Sequence, residues 1–225
     1  MITRNAITCI LSLLFASCLV ETAAATEFRT GVQAGYRGGP GAQLDASVSN
    51  FATGFPLALR FAVGYSTREA GKAADARIIF INNATNGTPE EHGSFMDYRF
   101  DLMYPFGWSS AKDLYLMGGV RYSKSTSNFK FIGGNEDFDI ISNQWGIGLG
   151  VGGYFGISQH LDLMIGGGVD YFFDAALKGH DTEYNPDGDH VNPRNNYTYD
   201  DADNAVNQPS INGHGLIGLS YRFGR

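Results

Sequence analysis

Cysteine is almost absent from this chain of 225 residues, and both examples, Cys9 and Cys18, fall near its start. The rest has no thiol for a disulfide or a cysteine metal site, so it can cross an oxidising compartment without mispairing. No later segment has the unbroken apolar length of a membrane helix. Positive charge is scarce: 16 Lys and Arg face 23 Asp and Glu, for a net charge of −7. That balance argues against nucleic acid as a partner, because phosphate backbones are bound by basic surfaces. Thirty glycines argue against a helical protein, since glycine weakens helices.

The N-terminal segment reads as a secretory signal. Arg4 supplies a positive start, Ile7 to Val20 a short apolar core, and Ala23-Ala24-Ala25 a small-residue cleavage site before Thr26. Cys18, after Phe15-Ala16-Ser17, raises lipoprotein processing as an alternative. Phe15 suits that motif poorly, and the apolar core continues past Cys18. The expectation is a signal peptide over 1–25, cleaved near Ala25, and one domain over 26–225 exported through the periplasm.

What the chain does have is alternation. Trp145, Ile147, Leu149, Val151, Gly153 and Phe155 interleave with Gln144, Gly146, Gly148, Gly150, Gly152 and Tyr154. A period of two marks a strand with unlike faces. Large apolar residues on one face, with small or charged ones on the other, fit a barrel with lipid outside and polar side chains inside. A soluble lipocalin-like barrel would need a polar exterior, and lipid tolerates no open sheet edge. Alternating segments occur at about 27–37, 42–50, 57–66, 95–104, 114–123, 144–155, 161–173 and 212–223. Most have the nine to eleven residues, roughly, of a tilted membrane strand. The fold expected is all-β: an eight-stranded antiparallel up-and-down transmembrane β-barrel.

The connections support that count. The second, fourth and sixth (Phe51 to Pro56, Pro105 to Asp113, Gly156 to His160) are short. The third, fifth and seventh are long, and the first is a tight Gly38-Gly39-Pro40-Gly41 turn. Periplasmic turns are short and outer loops long in such barrels. Aromatics gather at both boundaries: Phe51, Phe55, Phe106, Trp108 and Phe155 on one side, Tyr36, Tyr65, Tyr122, Trp145 and Tyr171 on the other. The signal, the eight segments and the closing Gly215-Leu216-Ile217-Gly218-Leu219-Ser220-Tyr221-Arg222-Phe223 together resemble small Gram-negative outer-membrane barrels of the OmpA/OmpX type, in architecture rather than in any motif. The resemblance implies outer-membrane lipid and lipopolysaccharide as surroundings. It also implies that the barrel-assembly machinery reads the last strand through Phe223, here followed by Gly224 and Arg225.

The inward set carries the chemistry. Arg29, Arg37, Arg60, Arg99, Arg121 and Arg222 face Asp45, Asp97, Asp101, Asp162 and Asp170. Aligning the strands from the short turns puts Arg60 level with Asp101 and Arg37 near Asp45, with Arg29 and Arg222 approaching Asp162. Eight strands enclose just enough room for side chains, and enclosed charges must be paired. The expectation is a lumen network that acts as a polar plug, or alternatively lines a narrow, porin-like ion or solute path. Lumen glycines such as Gly146, Gly148 and Gly152 leave space near strands six and seven for Tyr154, Phe172, Met164 or water.

The loops add weaker signals. Residues 174–209 hold Asp174, Asp181, Glu183, Asp187, Asp189, Asp200, Asp201 and Asp203 against Lys178 and Arg194. Glu183, Asn185, Asp187 and Asp189 alternate before and after Gly188 as calcium ligands do, but His190 and Arg194 break the pattern. Tyr184, Tyr197 and Tyr199, with Asp200 and Asp201, have the composition of an adaptable binding surface for an extracellular partner. Ile78-Ile79-Phe80-Ile81 is too apolar for water, and should extend a strand or pack over the barrel mouth. For hydrolysis the nearest clusters are His92 with Ser94, Glu90 and Glu91; His180 with Asp181, facing Asp200 and Asp201; and His214 with Ser220. None has a spacing that demands catalysis, and no cofactor motif appears. The function expected is a non-catalytic envelope or surface-interaction role, with a channel second and an outer-membrane hydrolase third.

Overall fold

The structure is a computed structural model that describes residues 26–52, 54–106, 113–194 and 196–223. The signal over 1–25 with its cleavage site, Trp108, Gly224 and Arg225 lie outside the described residues. Eight long strands are present: β1 (Glu27–Arg37), β2 (Pro40–Ser49), β3 (Ala58–Arg68), β4 (Thr88–Pro105), β5 (Asp113–Ile132), β6 (Asp137–Gly156), β7 (Leu161–Phe172) and β10 (Ile211–Phe223). Each pairs antiparallel with its sequence neighbours, and β1 closes on β10 with Phe28 opposite Phe223. The result is a closed eight-stranded barrel with no open edge across the membrane span. A helix α1 (Ala73–Phe80), a hairpin of β8 (Leu177–Gly179) and β9 (Thr182–Tyr184), and a helix α2 (Tyr199–Val206) lie at the end opposite the chain termini.

Side-chain exposure follows the pleat. Along β6, Trp145, Ile147, Leu149 and Val151 point outward, and Leu149 is 69% exposed. Phe61, Phe100, Leu116, Ile165 and Ile217 are exposed on other strands. Water would penalise such a surface, but lipid does not. Tyr98, Tyr122 and Trp145 lie side by side with tilted rings, centroids 6.3 and 5.1 Å apart, where the apolar belt ends.

Three strands run well past that belt. β4, β5 and β6 have 18, 20 and 20 residues, whereas the spans expected at 95–104, 114–123 and 144–155 stop at the membrane. Alternation continues but its polarity inverts. Above Tyr122 the outward residues of β5 are Lys124, Thr126, Asn128 and Lys130, while Phe129 and Phe131 turn inward and are buried. The third outer connection is therefore a tight turn at Gly133-Gly134 rather than a long loop, with Gly133 at φ +83 where only glycine sits without strain.

The inward phenylalanines nucleate a second core. Phe129, Phe131, Phe138 and Ile140 pack with Ala73, Ala76, Ile79 and Phe80 of α1, Leu177, Tyr184, and Ala202, Ala205 and Val206 of α2. The Ile78–Ile81 segment thus packs over the barrel, as the last turn of a helix rather than as strand. Ala73, Ala74 and Ala76 favour helix strongly, and Glu91 Oε1 accepts the Ala73 N–H at 3.3 Å, in place of the missing side-chain cap at Lys72. The outer connections are a folded head, not free loops.

Candidate functional site

The lumen of the barrel is filled by side chains that form one continuous ionic line. Arg37 donates to Gln43 and Asp97, and Arg99 Nε donates to Asp97 Oδ2 at 2.6 Å. Arg99 also reaches Asp170, which accepts from Arg121 Nε at 2.8 Å. Arg121 Nη1 donates to Asp101 at 2.7 Å. Arg60 stands 3.8 Å from Asp101 and 3.5 Å from Asp45, and Asp45 accepts from Gln33 Nε2 at 2.8 Å. Four arginines and four aspartates alternate along this line, each almost completely buried. His214 lies beside it, with Nε2 3.3 Å from Arg99 and Nδ1 3.2 Å from Asp170.

A second cluster closes the end near the termini. Arg222 Nη2 contacts both oxygens of Asp162 at 3.0 Å. Arg29 lies 3.6 Å from Asp162, 2.9 Å from Asp113 and against Glu27. Between the two ionic layers sit Met103, Met117, Met164, Ala58, Tyr115 and Tyr154. At the outer end Phe95 and Phe172, both fully buried, meet edge to face at 5.4 Å and separate the ionic line from the head. What space remains by the methionines is a cavity of about 20 Å³, room for about one water.

The geometry gathers the eleven charged residues expected inside into these two clusters, eight in one and Arg29, Asp162 and Arg222 in the other, but not in every expected pairing. Arg37 does not meet Asp45: its guanidinium reaches across the lumen to Asp97 on β4. In a tilted barrel, residues level along the axis are not those opposite in sequence register. The lumen glycines are occupied too. A Cβ on Gly148 would overlap Asp170 and Arg121, one on Gly64 would overlap Arg37 and Asp97, and one on Gly146 would press on Phe172. Glu27, Asp113, Gln33 and Gln43 also belong to the network. Gln33 and Gln43 share the inward parity of Arg29, Arg37 and Asp45, a signal present in the sequence.

In the head, the tyrosines and acids of residues 174–209 separate. Tyr184 is fully buried against Phe80 at 5.4 Å. Its hydroxyl donates to Ile79 O and accepts from Arg194 N–H, at 3.3 and 3.0 Å, so it is a core residue and not part of an open surface. The Tyr199 hydroxyl donates to Gln208 Oε1 at 2.8 Å, and burial pushes its pKa up. Tyr197 packs against the head core. Asp201 completes a capping box with Thr198, whose backbone N–H holds its carboxyl below the usual range. Asp200 is exposed. Burial, with Asp174 nearby, raises the Asp203 carboxyl.

The calcium candidates are engaged as turn and strand residues. Asn185 Nδ2 donates to Asp189 O, Asp187 Oδ1 accepts from Asp189 N–H at 3.1 Å, and Glu183 pairs with Lys178 at 3.1 Å. Among the described residues, no group of three or more His, Cys, Asp or Glu is arranged to hold a metal ion. His180 meets Asp181 at 3.3 Å, and both are largely exposed. Arg77 was not singled out by the sequence. It is buried in the head, stands 2.6 Å from Glu136 and donates to Asn86 O at 2.7 Å, fastening α1 to the β5–β6 hairpin.

No family model matches the chain, and a search of curated proteins finds no match. Among solved structures, a major outer membrane protein from Thermus thermophilus superposes with a TM-score of 0.72 at 28% identity, over 88% of this chain and 100% of that one. The attachment invasion locus protein Ail of Yersinia pestis aligns at 12% identity and a TM-score of 0.39, over 90% of this chain and 100% of its own. Neisserial surface protein A aligns at 14% and 0.34, over 89% and 96%. The Thermus structure superposes closely enough to bear on the fold. The closed barrel, its lipid-facing belt and that likeness define this chain as an eight-stranded β-barrel of the bacterial outer membrane.

Proposed function

We infer that this protein is a non-conducting, non-catalytic envelope barrel whose folded head is its working surface. The observation that carries this reading is the unbroken line from Gln43 through four arginine–aspartate pairs to Gln33. Opening a path would leave buried guanidinium and carboxylate groups unpaired, a cost of several kcal/mol for each. The Phe95–Phe172 pair and the head core lie over the same path, so an ion would meet two further dry barriers. The head is the part available to an extracellular partner, through exposed residues such as Asp200 rather than through Tyr184. The closing strand ending at Phe223 is the segment for the assembly machinery to recognise.

Single-channel conductance in a planar bilayer tests this reading. The native protein should be silent. Arg60→Ala, which removes one cation beside the cavity, should give at most brief openings. Steady native conductance that changes with Arg60→Ala would replace the closed plug by a gate.

A further inference from the structure

Arg68 closes β3 on its inward side, with Cζ 5.2 Å from the Phe95 ring. Among the described residues, Arg29, Arg37, Arg60, Arg77, Arg99, Arg121 and Arg222 all meet carboxylates, and Arg194 meets the Ile81 carbonyl. Arg68 has neither kind of contact; its Nη1 lacks a hydrogen-bond partner, as does one nitrogen on each of Arg29, Arg37, Arg60, Arg77 and Arg222, but those five have carboxylates and Arg68 has none. A half-buried guanidinium left unpaired in a protein that pairs the others points to a missing anion.

The surroundings supply space for one. Arg68 lines a cleft of about 680 Å³, a volume typical of small-molecule sites. The cleft exists because the β1–β2 connection is a two-residue turn while the other outer connections build the head. Gly38 and Gly39 form its floor, and Gly39 presses so closely on the Thr67 carbonyl that a Cβ there would overlap it. One wall is the 69–71 segment, tied to α2 by the Lys72 N–H donating to Ala205 O at 2.7 Å. At the base, Tyr36 is exposed on the outer aromatic belt, which places the cleft at lipid-headgroup level.

The lining also sets the sign of a ligand's far end. Glu69 and Glu91 line the same cleft. Glu69 makes no ion pair among the described residues, and Glu91 uses one oxygen for the Ala73 N–H. Two carboxylates near one guanidinium disfavour a polyanion and favour a ligand that carries its own cation. We propose that this cleft binds a small zwitterionic group of the phosphoethanolamine class, with the phosphate on Arg68 and the ammonium against Glu69 and Glu91. Arginine offers phosphate two parallel N–H donors. The group is either a lipid headgroup or a free solute.

The test is an NMR titration of the refolded mature chain in nonionic detergent, following the Arg68 side-chain N–H. O-Phosphoethanolamine should shift it saturably and bind more tightly than inorganic phosphate. R68Q should weaken binding by roughly tenfold or more, the scale of a charged hydrogen bond, while R68K keeps part of it. The E69Q/E91Q variant should prefer inorganic phosphate. Heat-modifiable gel migration checks that each variant folds. In nanodiscs containing phosphatidylethanolamine, a shift present without soluble ligand assigns the site to a headgroup; a shift that still needs soluble ligand assigns it to a solute. Absence of saturable binding, equal binding by R68Q, or equal affinity for phosphate and phosphoethanolamine in the native chain would overturn the proposal.

Discussion

The membrane barrel and the head above it share three strands, β4, β5 and β6, yet they are built on opposite rules. Below Tyr122 and Trp145 the inside is charged and the outside apolar, with Arg121 buried and Leu149 exposed. Above them Phe129, Phe131 and Phe138 are inside, and Lys124, Thr126 and Asn128 are outside. Backbone pairing runs unbroken across the change, from Asp113 opposite Tyr154 to Lys130 opposite Asp137. The solvent alone has changed. In lipid the outer face must be apolar and the enclosed polar groups must satisfy one another; in water, burial of apolar area drives the packing. The barrel, closed by its backbone ladders, is thus filled by ion pairs whose partners must all be present, whereas the head is filled by a small apolar core with helices packed on it.

That contrast can be broken from either side, and the largest effect should come from the ionic line. Asp170→Ala removes the acceptor shared by Arg99 and Arg121, which keep Asp97 and Asp101, and leaves one buried positive charge uncompensated. We expect a loss of about 4 kcal/mol in unfolding free energy, measured by urea titration of the protein in lipid vesicles. A loss below about 1 kcal/mol would mean that the lumen behaves as a hydrated surface.

The outer face offers a matched pair of substitutions on neighbouring strands. Leu149→Arg, at the middle of the lipid belt, should cost roughly 3 kcal/mol. Thr126→Arg, on the same outward side of the sheet but above the belt, should change stability by less than about 0.5 kcal/mol. Similar costs at the two sites would mean that the membrane boundary is misplaced.

Within the head, Phe80→Ala empties the contact with Tyr184 and should cost about 3 kcal/mol, confined to the head. Proteolysis of residues 69–87 and 174–209 should speed up while the barrel strands stay protected. Loss of both together would make head and barrel one cooperative unit.

The smallest effect is the acid response of the Arg77–Glu136 pair. Its carboxyl is held from the ordinary 4.5 down to about 2, first by the bond from Arg77 and then by that from Asn82. A depressed carboxyl contributes fully above its unfolded value and loses that contribution as pH falls towards the folded one. Amide exchange in α1 should therefore rise between about pH 4.5 and 2, and Glu136→Gln should flatten that rise.

Much of this was legible in the residues themselves. A period of two places each side chain in or out without knowledge of any partner. The eight strands, the exposed Phe, Leu and Trp faces and the inward Arg and Asp sets therefore emerge from local pattern together with the single demand that lipid be met by apolar groups. The inverted segments carried the same period, but Phe129 and Lys130 read as loop because the membrane pattern had ended. Ile78–Ile81 read as a strand extension or a patch over the barrel mouth; the alanines before it and the Glu91 cap from another strand made it the end of a helix packed over that mouth.

Partnership lay beyond the sequence. Arg37 reaches Asp97 because strand tilt staggers the levels, and Tyr184 left the surface because Phe80, far away in the chain, offered it a buried face. The notch at Arg68 exists because β1 and β2 turn back at the membrane surface while the other outer connections rise into the head. Which face a residue takes is set by its own backbone and its solvent. Which residue it meets depends on how a closed, sheared sheet brings distant strands to one height, and that is decided only in three dimensions.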